Sequence, residues 1–141
     1  MPQNLDQVVS TLHFTITTGS DDVRQNSQVN ATLTVLEGQQ ASEVQQSLNN
    51  GANWPNGSVN QADMAIPSVR VRDIRSFRID FLSGSTGPFD TEDNWNMNAI
   101  QATYTLDTGG TDILFEQDGQ PLHRFTGSDP SWEVDFNWPT A

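Results

Sequence analysis

Two short stretches of the chain concentrate oxygen donors suited to a hard cation: Thr18-Gly-Ser-Asp-Asp22 and Asp90-Thr-Glu-Asp-Asn94. Calcium takes roughly six to eight oxygen ligands, and loops at one end of a fold can bring carboxylates and backbone carbonyls to a common point. On that reasoning Asp21, Asp22, Glu92, Asp93 and Asn94 are the candidate metal ligands. Calcium is preferred to magnesium, which tolerates irregular cages poorly. The spacing is not that of an EF-hand loop, which needs Asp, Gly and a terminal Glu at set positions. The structural alternative has Asp21 and Asp22 making turn hydrogen bonds and pairing with Arg24, with Asp93 or Asn94 closing a turn.

The charge balance bears on the same point. Six Arg, no Lys and eighteen Asp plus Glu give a formal net charge of -12 over 141 residues. Such a field repels phosphate backbones and anionic lipid surfaces, so no nucleic acid partner is expected and lipid is less favoured than other ligands. It attracts cations instead, since clustered carboxylates need protons or a metal to offset their repulsion. There is no Cys, which excludes disulfides, thiolate metal sites and a Cys nucleophile. The start of the chain shows neither a basic region nor an apolar run, and no segment approaches the ~20 apolar residues of a membrane span. The expectation is a protein soluble where it is made or a domain of a longer secreted parent, with an extracellular setting favoured and the compartment itself open.

Other chemistry has fewer residues to call on. Trp54, flanked by Asn53, Pro55 and Asn56, is the best placed aromatic for stacking on a sugar, with Asn53 and Asn56 supplying amides. The equal alternative is that Trp54 plugs an edge of the core. A Ser-His-Asp system would need His13 or His123, and no Gly-x-Ser-x-Gly elbow occurs. Asp22 and Asp93 would serve a glycoside hydrolase only if about 5 to 10 Å apart in a cleft.

These residues sit in a chain dominated by period-two alternation. Leu12, Phe14 and Ile16 alternate with His13 and Thr15; Val29, Ala31, Leu33 and Val35 alternate with Asn30, Thr32 and Thr34. Residues 40–48 fit a short helix or an edge strand, because Val44 and Leu48 have helical spacing. Residues 49–58, with two Asn-Gly pairs and a proline, read as a loop that is mobile unless Trp54 packs. Further strands are expected over residues 59–66 and 69–82. Half the arginines lie between Arg72 and Arg78, where they pair with local carboxylates on a solvated face.

After Trp95, apolar residues change parity between Ala99 and Ile100, which implies a β-bulge. Residues 113–116 and 122–125 flank Gln117-Asp-Gly-Gln120, a hairpin signal. Trp132, Val134, Phe136 and Trp138 alternate once more and are expected to pair with the sheet. Short strands separated by turn-rich loops, with no long helix, indicate a single all-β domain over residues 1–141, an antiparallel β-sandwich of about eight strands.

The stretch Phe14-Thr-Ile-Thr-Thr-Gly-Ser-Asp-Asp-Val-Arg-Gln-Asn-Ser27, followed by an alternating strand and later by Asp93-Asn-Trp-Asn-Met97, resembles PLAT-type domains of lipases and lipoxygenases. That resemblance implies an eight-stranded sandwich, often stabilised by calcium, that contacts lipid, protein or carbohydrate while catalysis resides elsewhere. By position, Asp21 and Asp22 match the loop carboxylates after the first strand, and Trp95 the tryptophan that begins the later strand. The expected function is a calcium-stabilised, non-catalytic module binding carbohydrate or another surface ligand. The alternatives are a structural or interaction subunit of a secreted assembly or toxin that docks through its aromatic tail, and a small hydrolase using loop carboxylates.

Overall fold

The computed structural model describes residues 4–84 and 93–138. Alternation governs which side chains turn inward: Leu12, Phe14 and Ile16 of the first strand, and Val29, Ala31, Leu33 and Val35 of the second, are fully buried. The strands are β1 (Val8–Thr18), β2 (Gln28–Glu37), β3 (Gln40–Ser47), β4 (Val59–Arg70), β5 (Ile74–Leu82), β6 (Trp95–Thr105), β7 (Thr111–Phe125) and β8 (Ser131–Asp135). They form two four-stranded antiparallel sheets, ordered β4-β1-β6-β7 and β3-β2-β5-β8. The inward faces meet in one core, where Phe14 of β1 stacks on Phe77 of β5 at 5.0 Å and Phe77 reaches Phe115 of β7 at 5.4 Å.

Residues 40–48 do not form the short helix that was one of their two readings. Gln40–Ser47 is an edge strand, paired residue for residue with β2 from Glu37↔Gln40 to Asn30↔Ser47. A spacing of four residues returns a side chain to the same face in a strand as well as in a helix, so Val44 and Leu48 did not discriminate. Gly38, at φ +69, sits at the first central position of the two-residue turn between β2 and β3, where a non-glycine residue would be strained.

The expected bulge is present, placed at Asn98: β6 pairs Met97 with Thr18 and Ala99 with Thr17. The expected hairpin at residues 117–120 is not. Both halves of that sequence pair with the same neighbour, Ala99↔Asp118 and Met97↔His123, so β7 is one strand interrupted by a broad bulge at residues 119–122. The Asp-Gly reversal is real but local: a Cβ on Gly119 would lie 2.8 Å from the Leu122 Cα, so the chain folds out and returns to β6 rather than to a new partner.

The C-terminal alternation also pairs as expected. β8 lies beside β5, and beyond it Phe136 and Trp138 are buried, stacked at 4.6 Å, with the Trp138 indole N–H donating to the Arg72 carbonyl at 3.2 Å. This tail is part of the fold's packing. Among the described residues only Arg78 of the clustered arginines pairs with a local carboxylate, Asp80 at 2.7 Å; Arg72 pairs with Asp6 at 2.7 Å, 66 residues away, and Arg75 donates to the Arg72 carbonyl.

Register places four connections at one end of the sandwich. Thr17 lies opposite Val59, Thr18 opposite Met97, Gln28 opposite Leu82, and Trp95 opposite Phe125. The β1–β2, β3–β4, β5–β6 and β7–β8 connections therefore emerge together, and the sequence stretches singled out for chemistry fall among them.

Tyr104 supplies a test of the packed interior. Its ring is fully buried and its hydroxyl donates to Asp112 Oδ2 at 2.8 Å. Burial first, and then the Asp112 carboxylate, raise the hydroxyl well above its ordinary pKa. The folded state thus holds this proton more tightly than the unfolded state, so the stability it confers is complete below about pH 10 and is lost as pH rises further. With no Lys or Cys and a single Tyr in the chain, no other side chain except Arg titrates there. Urea unfolding between pH 8 and 12 should show stability falling by up to about 1.4 kcal/mol per unit above pH 10. Tyr104→Phe should flatten that slope and cost about 1 kcal/mol at pH 8.

Candidate metal centre

The β1–β2 connection turns at Gly19, where the side chain of Asn98, the bulged residue of β6, occupies the space a Cβ would need. Backbone hydrogen bonds then hold the loop in place: Gly19 N–H donates to the Asn96 carbonyl at 2.8 Å and Asn96 N–H to the Asp21 carbonyl at 3.1 Å. Val23 exchanges both backbone hydrogen bonds with Trp54, at 2.8 and 3.0 Å. The β1–β2 loop is thus fastened to β6 on one side and to the β3–β4 loop on the other.

Asp93 reaches the same place from the β5–β6 connection and is buried at 4% exposure. Its Oδ2 accepts from the Arg24 backbone N–H at 2.9 Å and from the Ser27 hydroxyl at 2.8 Å, and its Oδ1 from Arg24 Nε at 3.0 Å. Its own N–H donates to Ser83 Oγ at 2.8 Å. The Ser27 oxygen in turn accepts from Gly84 N–H at 3.0 Å. A side chain at residue 84 would place its Cβ 2.5 Å from the Asn26 backbone, so glycine alone permits that approach.

Asp93 of the second acidic stretch therefore meets the first. One carboxylate oxygen from each of Asp21, Asp22 and Asp93 lies within 4.8 Å of the other two. Calcium–oxygen distances are about 2.3–2.6 Å, so a single ion could touch all three. The residues fit a hard cation in donor type and in reach. Two guanidiniums share the site: Arg24 on Asp93, and Arg124 Nη2 at 3.1 Å from Asp21 Oδ2. The Arg24 guanidinium is held above its ordinary pKa mainly by its hydrogen bond to Asp93, with burial opposing and the charges of Asp93, Asp22 and Asp21 assisting. Asp22, half-buried, has no hydrogen bond or ion pair among the described residues. It faces the other two carboxylates, and shares with them the nearby charge of Arg24 without a direct ion pair.

The remaining candidates are placed less centrally. Asn94 is half-buried beside Asp93, and Glu92 lies outside the described residues. Trp54 is 6% exposed, its ring set edge-on against Trp95 at 5.8 Å, so it has no open face for a sugar. It fills the core edge, because only there can its ring join the Trp95–Phe125 stack at 4.8 Å. Asn53 and Asn56 stand exposed on either side of it. Of the pair considered for hydrolysis, Asp22 is half-buried and Asp93 is buried, with both its oxygens accepting hydrogen bonds. Of the histidines, His13 Nδ1 lies 2.7 Å from the exposed Asp63, and His123 Nε2 is buried without a hydrogen-bond partner, 3.6 Å from Asp129 Oδ1.

Three supporting residues carried no sequence signal. Ser27 immediately precedes β2 and Arg124 lies within β7, each a single polar residue. Asn49, buried, bonds the β2 backbone through Val29 N–H at 2.9 Å and the Ser27 carbonyl at 2.8 Å. The pairing expected between Arg24 and Asp21 or Asp22 forms instead with Asp93, across 69 residues of sequence.

No family model and no curated protein sequence matches the chain. Among solved structures, the alpha-toxin of Clostridium perfringens from an avian strain superposes with a TM-score of 0.66 at 16% identity, over 94% of this chain and 33% of that one. A Delta413-417:GS variant of a lipoxygenase superposes with a TM-score of 0.50 at 12% identity, over 89% of this chain. The fold is that of a PLAT-like β-sandwich. The chain spans a third of the toxin and 16% of the lipoxygenase, and identities this low establish shared architecture alone.

The site's internal balance can be tested by substitution. Asp93→Asn would set an amide among donors, and should lower stability by about 2–3 kcal/mol. In thermal unfolding that is a loss of roughly 8–10 °C. Asp22→Asn, which removes a carboxylate lacking a partner, should leave the midpoint unchanged or raise it slightly in the presence of a chelator.

Proposed function

We propose that this sandwich is a non-catalytic binding module whose loop end is ordered by calcium at Asp21, Asp22 and Asp93. The observation that carries the proposal is the convergence of three carboxylates within 4.8 Å from two connections far apart in sequence. Arg24 and Arg124 offset part of that charge, and Asp22 supplies the donor with no competing partner. An ion here would tie the β1–β2 loop to the β5–β6 connection without taking part in any reaction, and would stiffen the end of the sandwich that holds four loops.

The ligand proposed for that end is a polar surface, carbohydrate first. With Trp54 packed inward, contact falls to the exposed Asn53 and Asn56 amides, presented on a loop anchored from beneath by Trp54 and Asn49. Amide groups pair with hydroxyls in both directions, and a loop already held in one conformation loses little entropy on binding.

Calcium binding only to the folded state must raise its stability, by about 2.7 kcal/mol at a hundredfold excess over Kd. Thermal melts in millimolar calcium and in chelator should differ by several degrees for the wild type and coincide for Asp22→Asn. Identical wild-type melts would remove calcium from the reading, and a calcium shift that survives Asp22→Asn would move the ion elsewhere. For the ligand, a glycan array should show binding that weakens in Asn53→Ala/Asn56→Ala, whose fold is left intact.

A further inference from the structure

Among the described residues β7 and β8 are the outermost strands of their sheets, each bonded on one side only, to β6 and β5. On the opposite flank of the sandwich the sheet edges are linked, Gln46 Nε2 of β3 donating to the Asp63 carbonyl of β4 at 2.6 Å. Between β7 and β8 the sandwich opens instead into a groove of about 400 Å³, lined by Leu114, Phe115, Val134, Phe136 and Trp138. Glu116 and Asp135 also line it, and both are exposed.

These two carboxylates lack cations. Among the described residues the Asp135 side chain has no hydrogen bond or ion pair, and the Glu116 carboxylate accepts only from the Gln101 amide, at 2.5 Å. The chain has six cationic side chains that stay charged at neutral pH, all Arg. Five of them pair with Asp93, Asp6, Asp80 or Asp21, and Arg75 donates to the Arg72 carbonyl. Among the described residues none of the six is paired with Glu116 or Asp135.

We propose that the groove docks an extended basic and apolar segment of another protein, added as a strand alongside β8. Edge strands present unpaired backbone donors and acceptors that an extended segment can bond. Period-two alternation would then send every second side chain into the groove against Phe115, Val134 and Phe136, and turn the intervening Lys or Arg outward beside Asp135, which lies opposite Ser76, while Glu116 adds negative charge at the β7 lip of the groove. A second copy of this chain is a poor occupant, since it would bring a further charge of -12 against the same rim. The groove shares no residue with the Asp21, Asp22 and Asp93 site, so the two proposals stand or fall separately.

The test titrates the full chain with a decapeptide of repeating Lys-Val, with repeating Lys-Ser and Glu-Val as controls, followed by calorimetry and backbone amide chemical shifts. The Lys-Val peptide should bind about tenfold more tightly than Lys-Ser, because only it adds apolar burial to the charge attraction. Shifts should centre on β7 and β8. Glu116→Lys/Asp135→Lys should reverse the preference to Glu-Val. Should that variant not fold, Glu116→Gln/Asp135→Asn should weaken Lys-Val binding about tenfold with no gain for Glu-Val. Equal binding of Lys-Val and Lys-Ser, or shifts scattered over other acidic surfaces, would overturn the proposal. So would a wild type that ignores all three peptides while the neutralised variant self-associates, which would make the carboxylates guards against edge pairing.

Discussion

A buried carboxylate must be compensated where it stands, and Asp93 organises the loop end of this molecule through that requirement. Its two oxygens collect the Arg24 backbone, the Arg24 guanidinium and the Ser27 hydroxyl, while its N–H engages Ser83. Each of those bonds crosses from the β5–β6 connection to a segment it does not touch in sequence, or ends it in place. Once Asp93 is seated, residues 24–27 have one available path, and Gly84 must pass against it. Asp21 and Asp22 are brought near Asp93 as a consequence.

Beneath this polar layer lies an aromatic one that makes its position inevitable. Trp95, two residues after Asp93, is fully buried, stacked on Phe125, tilted against Phe81 at 5.8 Å, met edge-on by Trp54, and bonded through its indole N–H to Thr18 Oγ1 at 3.1 Å. Thr18 ends β1 and begins the acidic loop. One side chain therefore sets the height at which both acidic stretches leave the sandwich. The layers are coupled: burying large rings stabilises the end of the core, and the polar cage above can then spend its hydrogen bonds on loop geometry rather than on cohesion.

The same coupling bears on what the loop end can do. The β3–β4 loop, rich in Asn and Gly, would be mobile as a free segment. Trp54 below, Asn49 at its base and the Val23 backbone at its side hold it. Asn53 and Asn56 are thus exposed groups on a fixed support, the condition under which weak polar contacts add up to binding. The opposite arrangement holds between β7 and β8, where the sheets part and apolar side chains reach an acidic rim.

The all-β class and most strands were legible from residue order, because a half-buried strand writes its two faces into alternate positions. So was the bulge in β6, as a change of parity. The acidic stretch after β1 was recognisable as a loop, since Gly, Ser and Asp supply their own turn chemistry. Alternation could not separate a strand from a helix at Val44 and Leu48, which repeat at a spacing common to both. Nor could it tell a hairpin at Asp118 and Gly119 from a bulge, because local turn propensity does not name the strand to which the chain returns. The tertiary structure alone decided that Arg24 pairs with Asp93 rather than its sequence neighbours, that Trp54 turns inward, and that Asp21, Asp22 and Asp93 converge. Those outcomes depend on contacts between segments tens of residues apart, whose register is set by pairing and packing summed over both sheets.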